Sequence, residues 1–116
     1  MTWADVLEAH ATALEAGGLP GILNQGVIES AIARPYDGRH RLIHTKAAAL
    51  IHSLVKNHGF VDGNKRTALY MVDLLIHRSD HALNADSDAM EQMILAVVEN
   101  RIDYPSLETW FKDRII

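Results

Sequence analysis

The stretch His58-Gly59-Phe60-Val61-Asp62-Gly63-Asn64-Lys65-Arg66-Thr67-Ala68-Leu69 decides how this chain is read. It leaves one apolar-periodic segment and enters another. Between them stand a histidine, an acid, two glycines, an asparagine and two adjacent cations, a mixture that packing alone does not demand. Gly63-Asn64 reads as a helix start, with Asn64 expected to cap the free N–H groups of a first turn. Lys65 and Arg66 then fall inside that turn. A helix N-terminus carries partial positive charge, so each cation there costs about 0.3–1 kcal/mol. An anion on the helix end removes the conflict. Free N–H groups and the helix dipole attract phosphate, and Lys and Arg add charge and a bidentate fork. Gly63, Asn64, Lys65 and Arg66 are therefore the expected phosphate-binding residues.

The residues just before them offer chemistry. The His58 imidazole suits proton transfer near neutral pH, and His58 is the expected general base toward a target hydroxyl. Asp62 is the expected metal ligand, because Mg²⁺ is commonly held by one or two carboxylates plus substrate phosphates. Asn64 and Arg66 complete the expected catalytic set with His58 and Asp62. Gly59 and Gly63 let the backbone bend and approach a ligand. Phe60 and Val61 are expected to point inward and pin the loop.

Outward from this loop every confident element is helical. Residues 64–78 carry Ala68, Leu69, Met71, Val72, Leu74, Leu75 and Ile76, apolar on nearly all sides, which predicts a buried central helix. Residues 44–57 keep helical spacing through Ala47, Leu50, Ile51, Leu54 and Val55. Residues 2–16 form a helix with Val6, Leu7, His10 and Leu14 on one stripe and a Thr2/Asp5 capping box. Gly17-Gly18 stops it, and Pro20-Gly21 continues the turn. Residues 24–34 form a short helix stopped by Pro35, and residues 35–43 are polar and irregular. After an extended connector over 79–85, a helix starts at Ser87 or Asp88, with Asp88 and Glu91 as its capping pair. A last short helix opens at Tyr104-Pro105-Ser106, with Leu107, Trp110 and Phe111 facing in. The expected fold is all-α, a compact helical bundle forming a single domain over residues 1–116.

Composition narrows the function classes. The chain is 48% hydrophobic, too apolar for disorder. It has no cysteine, which excludes disulfides and thiolate metal sites. The formal charge of −4 argues against a nucleic-acid binder, which is usually basic. No apolar run approaches the ~20 residues that span a bilayer, and Met1-Thr2-Trp3-Ala4-Asp5 has no basic leader region, so a cytoplasmic protein without membrane contact is expected. His40/His44 and His77/His81 are spaced i, i+4, but no third ligand follows at a zinc-site spacing.

The run from His58 to Ala68 resembles the signature of the Fic/Doc superfamily, His-x-Phe-x-Asp/Glu-Gly/Ala-Asn-x-Arg, in the form of its Doc (death-on-curing) toxin branch. The resemblance extends to Gly17-Gly18-Leu19-Pro20-Gly21 and to the segment from Lys46 to Asn57. It implies a helical domain that transfers part of ATP to a protein hydroxyl with Mg²⁺. Fic enzymes have Gly where this chain has Lys65 and a second Arg where it has Leu69. The Doc branch shares the Lys, and there the resemblance implies phosphorylation, with translation elongation factor Tu as target and a Phd-type antitoxin as partner. Residues 35–43 match the position of the family's flap, which holds the target chain. A solvated connector explains their composition equally well, and both readings stay open. Gly59 stands where Fic proteins have Pro, which is expected to loosen the loop. The alternatives are an AMP transferase of the Fic type and a catalytically silent nucleotide- or partner-binding module. Intact His58 and Asp62 argue against the silent module.

Overall fold

The computed structural model describes residues 1–116. Six helices follow in order: α1 Trp3–Leu14, α2 Gln25–Ala33, α3 Ile43–Asn57, α4 Asn64–Arg78, α5 Ser87–Val98 and α6 Tyr104–Arg114. A 3-10 turn, Arg34–Tyr36, extends α2. The fold is all-α as expected. Only two isolated antiparallel bridges interrupt it, Ile22 with Phe60 and Leu83 with Ile115.

The helix that the others surround is α3. It packs against α2, the 3-10 turn, α4, α5 and α6. Its run Ala47-Ala48-Ala49-Leu50-Ile51 is fully buried, and the three alanines let neighbouring backbones come close. Sequence periodicity assigns the central place to α4, and this is corrected. That helix buries Thr67, Ala68, Met71, Val72, Leu75 and Ile76 but keeps Lys65, Arg66, Tyr70, Asp73, His77 and Arg78 exposed. A two-sided apolar pattern misleads here because Leu69 and Leu74 are only half-buried at the margins of the contact. The core cluster of 22 residues runs through every helix.

α1 packs on α4 and is fastened to it near its start. At its start, Arg78 donates to both carboxylate oxygens of Asp5, at 2.7 and 2.9 Å. The Arg78 hydrogen bonds first, then the Thr2 N–H, hold the Asp5 carboxyl well below the usual carboxylate range. The Thr2/Asp5 capping box forms as expected. Leu7, expected on the buried stripe, is exposed.

Most helix ends fall within two residues of their expected positions. α5 is capped by Asp86, whose side chain accepts the Ala89 N–H, in place of the Asp88/Glu91 pair. Asp103 caps α6 in the same way through Ser106. Leu107 and Phe111 are buried, and Trp110 packs at the edge of the core. The 79–85 connector is extended where Ala82 and Asn84 pair with Ile116 and Arg114. No helix is long and apolar enough to cross a membrane.

Candidate functional site

α3 ends at His58, whose backbone turns left-handed with φ 42° and ψ 58°. A left-handed residue is a common way to end a helix, and Asp80 and Asn100 do the same after α4 and α5; glycine meets this conformation without the Cβ penalty that His58 carries. His58 is exposed at the head of the loop. The next residue, Gly59, is buried against α2. A Cβ there would collide with Cγ1 of Ile28. The Gly59 carbonyl accepts N–H groups from Leu23 at 2.8 Å and Asn24 at 3.1 Å, and the Gly21 carbonyl accepts that of Val61 at 3.0 Å. The expectation that Gly59 loosens the loop is therefore overturned. The missing side chain lets the loop lie tight on α2 and pair with the 21–24 segment.

Phe60 points inward as expected and is 2% exposed. Its ring stacks on that of His10, 3.8 Å between centroids and 11° between planes. Val61 does not point inward. It is exposed because adjacent side chains of an extended segment face opposite ways, so burying Phe60 turns Val61 out.

Asp62 is held from three directions. Its Oδ1 accepts the Gly63 N–H at 3.0 Å and its Oδ2 the Leu19 N–H at 3.2 Å. Its backbone carbonyl lies 2.9 Å from Nε2 of His10. The loop through Gly17 and Gly18 is thus more than a helix stop, since its Leu19 N–H orients the Asp62 carboxylate. Each carboxylate oxygen keeps further lone pairs for a cation.

Gly63, left-handed at φ 77°, is the N-cap of α4, and no side chain caps this helix. The expected role of Asn64 as helix cap is corrected. Asn64 is the first helical residue, and its side chain reaches back over the loop. Its Oδ1 accepts the Phe60 N–H at 3.0 Å and its Nδ2 donates to the Phe60 carbonyl at 2.9 Å. A cap must sit one residue earlier to face the first-turn N–H groups. Asn64 instead staples the loop shut and leaves the N–H groups of Asn64, Lys65 and Arg66 without backbone partners. Lys65 and Arg66 are exposed in that turn, with no acid there. The ion pairs of the structure are Arg39–Asp37, Arg78–Asp5 and Arg101–Glu99, so neither cation at the helix end is neutralised by a carboxylate. The helix start is electropositive, open and flanked by Asp62.

Sequence reading missed the parts that hold the loop from behind. His10 lies 52 residues from Asp62, and its place on an apolar stripe marks it only as buried. The dependence of Gly59 on Ile28 likewise has no local signal.

A helical bundle with a histidine at the end of one helix, an acid in a pinned loop and unpaired cations at the start of the next defines a recognisable class. A sequence model of the Fic/DOC family matches residues 1–76. The chain is also 41% identical over 90 residues to Toxin Doc of Mycolicibacterium smegmatis (strain ATCC 700084 / mc(2)155), an alignment covering 72% of this chain and 67% of that one. The chain belongs to the Fic/DOC family, as its signature implies. The matched span ends within α4, so α1 to α4 and the loop between α3 and α4 carry the family likeness.

Proposed function

We propose that this chain is a Doc-type toxin, a transferase that moves a phosphoryl group from ATP to a hydroxyl of a target protein. The observation that carries this reading is the uncapped start of α4, where unpaired N–H groups, Lys65 and Arg66 face outward beside Asp62. A polyphosphate relieves the electrostatic conflict there. His58 would take the proton of the acceptor hydroxyl. Lys65, Arg66 and the first-turn N–H groups would hold the phosphates and spread their charge as transfer proceeds. Asn64 acts through the loop, by keeping His58 and Asp62 on one rigid turn.

The residues present fit Mg²⁺ in one way. No group of three or more His, Cys, Asp or Glu side chains could hold a metal alone, so Asp62 would supply one carboxylate and the phosphates the other oxygens. Bound Mg²⁺ would neutralise phosphate charge.

The nature of Lys65 favours phosphorylation over AMP transfer. A lysine occupies the place of the Fic glycine, filling space that a phosphate takes in AMP-transferring relatives. By the same family likeness the target is translation elongation factor Tu, arrest of translation is the outcome, and a Phd-type antitoxin is the controlling partner. Mass spectrometry of elongation factor Tu incubated with the chain, ATP and Mg²⁺ tests the reading. Addition of one phosphate, lost in His58→Ala, is expected. Addition of AMP assigns the Fic-type reaction, and no adduct with any target leaves a nucleotide- or partner-binding module.

A further inference from the structure

His10 is buried in α1 and touches the signature loop twice. Its ring lies flat on Phe60, and its Nε2 is 2.9 Å from the carbonyl oxygen of Asp62. A carbonyl only accepts, so Nε2 must carry the proton. The ring also lies against the following residue: a Cβ on Gly63 would be 3.6 Å from Cδ2 and Nε2 of His10. His10 therefore covers the peptide plane between Asp62 and Gly63.

That plane is where the loop's direction is decided. A peptide unit is rigid, so fixing its carbonyl also fixes the N–H on the other side. With the Asp62 carbonyl turned in toward His10, the Gly63 N–H is left to hold Oδ1 of Asp62. The competing arrangement is a flipped peptide, to which glycine at 63 offers little resistance. Flipping would turn the negative end of the carbonyl toward the start of α4, where Lys65 and Arg66 stand. It would also release the carboxylate from the Gly63 N–H.

We propose that His10 is a positioning residue for the phosphate and metal site, acting through its Nε2–H to keep the Asp62–Gly63 peptide in the orientation that accepts an anion. The effect on catalysis rests on the phosphoryl-transfer reading above, whereas the effect on the peptide does not. Phe60 could be covered by any flat ring, so packing alone does not need a donor at this position.

Two substitutions separate donor from packing. His10→Phe keeps a ring over Phe60 and removes the donor. His10→Gln keeps an N–H donor and removes the ring. His10→Phe is expected to lower the affinity for Mg²⁺ with ATP and kcat/KM by about ten- to a hundredfold, the range for groups that orient a metal ligand, with thermal stability close to wild type. His10→Gln is expected to recover most of that loss despite being less stable. The opposite ranking, with Phe active and Gln inactive, overturns the proposal in favour of packing. NMR of the free wild-type protein gives a test that needs neither nucleotide nor a foldable variant. Nitrogen shifts of His10 should show Nε2 protonated, and residual dipolar couplings should place the Gly63 N–H away from His10, along its direction to the Asp62 carboxylate. A ring protonated on Nδ1 alone overturns the proposal. If wild type shows this geometry yet neither binds ATP nor transfers phosphate, the functional reading fails while the positioning of the peptide stands.

Discussion

Gly59 and Ile28 occupy one space: a Cβ on Gly59 would collide with Cγ1 of Ile28 and lie 2.9 Å from its Cδ1. Ile28 is 2% exposed and cannot swing into solvent. Overpacking of this kind typically costs about 1–3 kcal/mol. Gly59→Ala is therefore expected to lower the unfolding free energy by about 2 kcal/mol and to displace the signature loop. Ile28→Ala costs about 2–5 kcal/mol alone, but combined with Gly59→Ala it removes the clash. Urea unfolding of the double-mutant cycle should show a coupling energy of about 1 kcal/mol or more, favouring the double variant over the sum. Simple additivity would show that the loop yields freely.

The Asp5–Arg78 pair gives the fold a pH dependence with a definite sign. Asp5 titrates below its ordinary value of 3.8, chiefly through the Arg78 hydrogen bonds. A carboxyl whose pKa is depressed by folding stabilises the protein fully above its unfolded value and less as pH falls through that range. The stability difference between wild type and Asp5→Asn is expected to hold its full size from pH 7 down to the ordinary value of 3.8 and to shrink progressively below it, as pH falls toward the depressed folded value. Urea unfolding at several pH values measures it. A difference that stays constant into the acid range would assign the stability of this contact to something other than the charge on Asp5.

Helices came through in the sequence because their signals are local. The Thr2/Asp5 box, the Asn24 start and the 3.6-residue spacing of α3 each need only a few neighbouring residues. The candidate site stands out for the same reason: His58, Asp62, Lys65 and Arg66 lie within one short run, and the cations' unfavourable helix position is a contradiction visible without coordinates. What holds that run was not legible. His10, Leu19, Asn24 and Ile28 reach the loop from elements distant in sequence, and nothing in their spacing announces it. Asn64 reads as a cap because Asn after Gly fits one, and only the left-handed Gly63 shows that the cap position lies one residue earlier. The alanines of α3 point to tight packing against other helices, and Ala47, Ala48 and Ala49 are fully buried; that α3 rather than α4 is the one the others surround has no local signal.

Arg66 separates the needs of the helix from those of the ligand. Exchanging a cation for an acid in the first turn of α4 improves the match to the helix dipole by about 0.3–1 kcal/mol per charge. Arg66→Glu should therefore be as stable as wild type or slightly more so. Its affinity for Mg²⁺ with ATP, measured by calorimetry, should fall by about tenfold or more, since one charge-assisted contact to phosphate is lost and a repulsion added. Adding salt should weaken wild-type binding more steeply than that of the variant. Unchanged affinity would remove the start of α4 as the phosphate site.

Thr67 reports on how the loop is tied to the helix beneath it. Its hydroxyl is buried and finds no hydrogen-bond partner among the protein's own atoms, and the same holds for Ser53 on α3. Both line a cavity of about 10 Å³ behind Phe60 and Asn64. A buried hydroxyl without a partner is unfavourable by about 1–3 kcal/mol, and valine has nearly the same shape. Thr67→Val is expected to leave the fold intact and raise the unfolding free energy by about 1 kcal/mol. A loss of that size in chemical unfolding would instead mean that the hydroxyl is engaged through a bridging water, for which about 10 Å³ is the lower limit of space.

His58 should show a conflict between stability and function. Its left-handed backbone costs a residue with a Cβ about 1–2 kcal/mol, and glycine is exempt from that penalty. Glycine at the end of a helix returns some of the gain through the greater freedom of its unfolded chain, roughly 0.5–1 kcal/mol. His58→Gly is thus expected to match or exceed wild-type stability by about 0.5 kcal/mol, while losing transfer activity through loss of the base. His58→Ala keeps the strain and loses the base, so it should be inactive without the gain. If the imidazole instead served to hold the loop, His58→Gly would melt earlier than wild type and the signals of Phe60 and Asn64 would broaden in NMR spectra. A variant that is stable, well ordered and unable to transfer phosphate is the outcome that assigns the strained turn to chemistry, because the fold alone would be better served by glycine.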